Sequence, residues 1–286
     1  MTSMQNTYGR WSTTNMTILL PNTVNMISIE TRDSYGNTLI STNMTIVVRT
    51  NSTARGGAYA GATVWDKSGG IIYVTSDVSI PNPGDSLTIM PGTTVMFDAG
   101  KKISVAAGGT LNVLGSTNDP VYMFPSNGVS AWSIEMTGAA GTITNSSMVG
   151  GRMVLTGGAT LSMTDSQLGG NTDAGGIISA TGAGLVTIRR CIISGFAKTA
   201  FSGTFAQIEE SLFRNMSACG LEFSSATGTI SRTSITNSTA SGAEGIRFIA
   251  GGGGVVTNCL VGKITGSGVR AASDAGNAVI CHSLLY

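Results

Sequence analysis

Charge is scarce in this chain: 11% of its 286 residues are Asp, Glu, Lys or Arg, and 16 basic against 15 acidic side chains leave a formal net charge of +1. A near-neutral surface offers no electrostatic reason to expect nucleic acid or an anionic membrane as partner. No apolar run reaches the roughly 18 residues of a membrane-spanning helix. Met1–Arg10 lacks a basic segment followed by an apolar one, so no signal peptide is visible. There is one histidine, and the four cysteines (Cys191, Cys219, Cys259 and Cys281) show no Cys-x-x-Cys spacing, which excludes the usual zinc patterns. Helical periodicity is almost missing. Low charge combined with 40 glycines would suit a disordered chain, but the 41% of hydrophobic residues are placed too regularly for that.

The regularity is a short phrase repeated seven times. An aliphatic residue is followed two positions on by a bend residue, then by Ser, Thr or Cys, then two further on by another apolar residue. It runs Ile143-x-Asn145-Ser146-x-Met148, Met163-x-Asp165-Ser166-x-Leu168, Ile188-x-Arg190-Cys191-x-Ile193 and Ile208-x-Glu210-Ser211-x-Phe213. It continues as Ile230-x-Arg232-Thr233-x-Ile235, Val256-x-Asn258-Cys259-x-Val261 and Ile280-x-His282-Ser283-x-Leu285. The starts lie 20, 25, 20, 22, 26 and 24 residues apart. A repeat of this length means a solenoid. Built from β-formers and glycine, it predicts an all-β, right-handed parallel β-helix of about 23 residues per coil, the coils stacked about 4.8 Å apart.

Stacking turns each slot into a column. The seven leading aliphatic residues, Ile143 to Ile280, are expected to line the interior. Ser146, Ser166, Cys191, Ser211, Thr233, Cys259 and Ser283 form a structural ladder of small residues in the cramped space after the bend. Cys191 and Cys259 share this slot three coils apart, roughly 14 Å, too far for a disulfide. The bend column alternates in charge through Asp165, Arg190, Glu210 and Arg232. A second phrase 10 to 16 residues later begins with glycine where the chain is expected to bend (Gly151, Gly176, Gly220, Gly245, Gly268) and carries a second charged column, Glu222, Arg247 and Arg270. Opposite charges on adjacent coils favour the correct register. Glu209 and Glu210, as sequence neighbours, are expected to point apart. His282 beside Ser283 lacks a carboxylate partner for a triad, and Trp65 and Trp132 are read as packing residues rather than sugar platforms.

Before the repeats, Ile18–Leu20, Val24–Ile29 and Met44–Val48 read as antiparallel strands around an Asp33–Asn37 turn. The stretch from Trp11 to Asn37 resembles the closing strands of bacterial immunoglobulin-like modules. Leu87-Thr-Ile-Met-Pro-Gly-Thr-Thr-Val-Met-Phe97, Gly109-Thr-Leu-Asn-Val-Leu-Gly-Ser116 and Asp119-Pro-Val-Tyr-Met-Phe124 resemble the opening coils of β-helix repeat proteins of the pectin-lyase-like superfamily. Met90 stands where that family usually carries an acidic residue. The expected organisation is a partial immunoglobulin-like sandwich over 1–50, a linker over 51–62 and the β-helix over 63–286. Within the β-helix, 63–130 are capping coils and 131–286 regular coils. Both ends read as cut, which implies further domains in a longer chain.

The superfamily holds lyases, hydrolases, adhesins and large surface proteins, so the resemblance leaves activity open. The preferred expectation is a non-catalytic scaffold, secreted or on a bacterial cell surface, with a structural, adhesive or carbohydrate-binding role. Its partner would be a polysaccharide or cell-surface glycan, with no cofactor. The alternative is a polysaccharide lyase or glycoside hydrolase acting on an acidic polysaccharide across Arg190, Glu210 and Arg232 or across Glu222, Arg247 and Arg270. Calcium enters only with that alternative. A third reading, a phage tail-spike-like trimeric receptor binder, requires an exposed apolar stripe along one side. No residue is assigned as catalytic or metal-binding.

Overall fold

The computed structural model describes residues 52–286, apart from 129–130, 172–174, 239 and 286, together with the backbone of 5–7, 10–12, 24–32 and 38–47. It divides into two units, Met1–Ser52 and Thr53–Tyr286. In the first, Gln5–Thr7 pairs with Arg10–Ser12, and Val24–Arg32 pairs antiparallel with Thr38–Val47 so that Val24 faces Val47. The expected strand Ile18–Leu20 and the Asp33–Asn37 turn lie outside the described residues.

The second unit is an all-β parallel solenoid of about nine turns. Each turn crosses three faces. The first face is a ten-stranded parallel sheet, running from Ala62–Trp65 through Ala140–Thr144, Thr160–Thr164, Leu185–Arg189, Phe205–Glu209, Thr227–Ser231 and Gly253–Thr257 to Ala278–Cys281. The second and third faces join in one 17-stranded sheet, because the long strands Ile192–Ser202 and Leu212–Ser224 run across both. A single short 3-10 turn, Lys67–Gly69, is the only helical element among the described residues. Ser52–Ala58, inside the stretch read as linker, is a strand, and Tyr59 after it donates its backbone N–H to Ser79 at 2.9 Å.

The interior column is in register throughout: Ile143, Met163, Ile188, Ile208, Ile230, Val256 and Ile280 are successive partners. The first six are buried. Ile280 is 42% exposed, because no described coil stacks on it. Behind the third face the rings of Phe201, Phe223 and Phe248 stack at 5.1 and 5.3 Å. Trp132 lies flat on Phe97 at 4.2 Å and donates its indole N–H to Val149 at 2.8 Å. Both Trp65 and Trp132 are buried, as packing residues are.

The bend follows the first face. Asn145, Asp165, Arg190, Glu210, Arg232, Asn258 and His282 all have φ between 42° and 52°. Left-handed backbone of this kind turns the strand within one residue, and Asn and Asp adopt it most readily. The second phrase corrects an expectation. Gly176 has the positive φ expected (103°), but Gly151, Gly220, Gly245 and Gly268 do not; the turn before each of these is made earlier, at Gly150, Asn215, Asn237 and Lys263. Gly151, Gly220 and Gly245 serve close packing instead. A Cβ on Gly151 would lie 2.5 Å from the Trp132 ring, and one on Gly220 would lie 2.5 Å from the Gly245 carbonyl oxygen.

Candidate functional site

Three regions carry polar chemistry: the bend edge, the outer side of the third face and the outer side of the first face.

At the bend edge the small-residue ladder is fully engaged. Each left-handed residue breaks the regular ladder, and the next residue's N–H needs another acceptor. The hydroxyl one coil further along provides it: Ser146 N–H donates to Ser166 Oγ at 3.1 Å, Cys191 N–H to Ser211 Oγ at 3.1 Å, Ser211 N–H to Thr233 Oγ1 at 3.3 Å, and Cys259 N–H to Ser283 Oγ at 3.1 Å. Each hydroxyl in turn donates to the carbonyl two residues before it, as Ser211 does to Glu209 at 2.7 Å. The thiols of Cys191 and Cys259 make the same contact at 3.2 Å. Burial pushes the Cys191 thiol up to about 11 and the Cys219 thiol up to about 12, so neither is a thiolate at neutral pH. All four cysteines are free. Ser283, beside His282, spends its hydroxyl in this ladder as expected.

The charged bend residues pair along the axis. Arg190 grips Asp165 with two bonds, Nε to Oδ1 at 2.6 Å and Nη2 to Oδ2 at 2.7 Å, and stands 3.9 Å from Glu210. Hydrogen bonds from Arg190 hold the Asp165 carboxyl below its usual range. Arg232 bonds Glu209 at 2.6 Å and Glu210 at 3.1 Å, and Arg189 reaches both at 3.3 and 3.6 Å. This overturns the expectation that Glu209 and Glu210 diverge. Strand alternation does not apply across a left-handed residue, so the Glu210 side chain swings back to the side of Glu209. The doublets Arg189-Arg190 and Glu209-Glu210 occupy equal slots on adjacent coils, a signal legible in the sequence.

On the third face, Glu222, Arg247 and Arg270 are register partners in the expected column. The pairing is a zigzag with two residues sequence reasoning missed. Lys198 bonds Glu222 at 3.0 Å, Glu222 also holds Arg247, Arg247 reaches Glu244 at 3.2 Å, and Glu244 takes Arg270 at 2.8 Å. Arg270 therefore pairs with Glu244, not with Glu222. Burial pushes the Glu222 carboxyl up, but hydrogen bonds from Arg247 and Lys198 outweigh it and leave the group below its ordinary value. Lys198 and Glu244 were missed because their column passes through Cys219 across a register irregularity. Among the described residues no three His, Cys, Asp or Glu side chains are grouped to hold a metal.

The first face turns outward a shallow depression lined by Thr187, Gln207, Ile208, Glu209, Thr229 and Ser231. Leu185 and Phe205 stand exposed beside it as register partners, flanked along their column by Thr160 and Thr227. Val255 and Val279, in the column that continues from Thr229, are exposed on the same face.

This is the architecture of a right-handed parallel β-helix. Residues 175–286 match the family described as right handed beta helix region. No curated protein matches the chain. Among solved structures, the A-module of the Azotobacter vinelandii mannuronan C-5 epimerase AlgE6 aligns at 10% identity over 82% of this chain and 90% of its own, with a TM-score of 0.29. A trypsin-treated form of QnrB1, a plasmid-mediated fluoroquinolone resistance protein, aligns at 12% identity over 76% and 93%, with a TM-score of 0.24.

Proposed function

We propose that this β-helix is a non-catalytic scaffold that works outside the bacterial cell by binding carbohydrate. The observation that carries the reading is the pairing of its charges. General acid–base chemistry on a glycan needs a carboxyl held protonated near neutral pH, or carboxylates gathered on a metal. Here the carboxylates of both charged columns face arginine or lysine, and Asp165 and Glu222 are held more acidic than usual. Such pairs fasten coil to coil. A rigid solenoid with long exposed faces suits binding, and the resemblance of residues 11–37 to immunoglobulin-like modules supports placement outside the cell.

The test is incubation of the chain with acidic and neutral polysaccharides, with and without calcium, reading both retention on the polymer and release of products. Retention without turnover is the expected result. Calcium-dependent formation of unsaturated products, lost in Arg190→Ala or Arg247→Ala, would overturn the reading and make the protein a lyase.

A further inference from the structure

We propose that the outer depression of the first face is a binding site for a neutral oligosaccharide, with Phe205 as its apolar platform; this rests on the carbohydrate-binding reading above.

The register builds the site as a grid. Leu185, Thr187 and Arg189 lie beside Phe205, Gln207 and Glu209, which lie beside Thr227, Thr229 and Ser231. With strands about 4.8 Å apart and alternate residues about 6.6 Å apart, the grid spans roughly 10 by 13 Å, room for a short oligosaccharide. Its three columns differ in chemistry. Leu185 and Phe205 form an apolar edge, 41% and 40% exposed. Strand alternation sends Ala206 and Ile208 inward, so Phe205 has to face solvent. Among the described residues, Phe205 is the one aromatic in the set of exposed large apolar side chains, whereas Trp65 and Trp132 are sealed inside.

The middle column, Thr187, Gln207 and Thr229, is neutral. Among the described residues no protein group bonds these side chains, in contrast to the ladder at the bend, where every hydroxyl is engaged. Hydroxyls and a primary amide both donate and accept, which is what sugar hydroxyls require. On the far edge Arg189 and Glu209 hold each other at 3.3 Å, so neither sign of charge dominates the rim. A pyranose ring presents an apolar C–H face and a fringe of hydroxyls. It lays the first on Phe205 and turns the second to Thr187, Gln207 and Thr229, as small-ligand sites generally combine an apolar surface with a few placed polar groups. An acidic sugar gains nothing from so balanced a rim.

Titration calorimetry of the full chain with cellohexaose, mannohexaose and hexagalacturonate tests this. A neutral hexasaccharide is expected to bind, and Phe205→Ala and Gln207→Ala each to weaken it roughly tenfold or more. Thermal melts of both variants should match the parent, since both side chains face solvent, and Lys102→Ala on the third face should leave binding unchanged. Neutral binding undiminished by Phe205→Ala and Gln207→Ala would overturn the site. Binding of hexagalacturonate alone, lost with Arg270→Ala, would also overturn it while sparing the carbohydrate-binding reading. Binding of no oligosaccharide would sink both.

Discussion

At the scale of single residues, the decisive device is the pairing of a left-handed bend with a small hydroxyl residue after it. The bend takes the chain from the first face to the second within one residue, but it removes a backbone N–H from the regular ladder. A buried donor without a partner costs about 1–3 kcal/mol. The Ser, Thr or Cys after each bend repairs that loss for the neighbouring coil. Ser211 serves two partners, accepting from Cys191 N–H and donating to the Glu209 carbonyl. Ser211→Ala is therefore expected to destabilise the fold by about 1–3 kcal/mol in urea titrations and to speed amide exchange at Cys191. Ser211→Cys should cost less, since Cys191 and Cys259 already make the donating contact from the same slot. An alanine variant as stable as the parent would show that the ladder is incidental.

At the scale of the strand, the charged columns act between coils. Exposed pairs such as Arg190 with Asp165 contribute little to stability and weaken in salt. The third-face zigzag is better shielded, because Glu222 and Glu244 are both buried. Its stability depends on pH with a definite sign. The Glu222 carboxyl is more acidic in the folded chain than in the unfolded one. Its contribution is thus complete above the ordinary glutamate value, about 4.3, and is lost as pH falls through the lower folded value. Melting temperature should drop on acidification below about pH 4.3, and the drop should be smaller in Glu222→Gln. Equal acid sensitivity in both proteins would remove Glu222 from the account. The columns themselves were legible from the repeat, as were Arg190, Glu210, Arg232, Glu222, Arg247 and Arg270. Lys198 and Glu244 were not, because their slot is reached only across a register irregularity.

At the scale of the whole molecule, no coil buries its apolar residues alone, and stability is shared between neighbours. The stacked rings of Phe201, Phe223 and Phe248 bind three successive coils behind the third face. Phe223→Ala would open a cavity in the middle of that stack, with an expected cost of about 3–5 kcal/mol. Denaturant titration measures it, and a loss below about 1 kcal/mol would mean that the neighbouring rings close over the gap. On the outer side of the first face the same stacking brings together the three chemistries of the proposed sugar site from three successive coils.

The sequence by itself determined the solenoid, its interior column and its hydroxyl ladder. Burial recurs once per coil, and a repeating physical demand writes a repeating pattern. The tertiary structure alone decided that Lys198 and Glu244 join the charged columns, that Glu209 and Glu210 share their arginines, and which strand-starting glycines are needed for close packing. Those outcomes depend on register across coils of 20 to 26 residues and on side-chain directions after a left-handed bend, and neither has a period that the sequence can display.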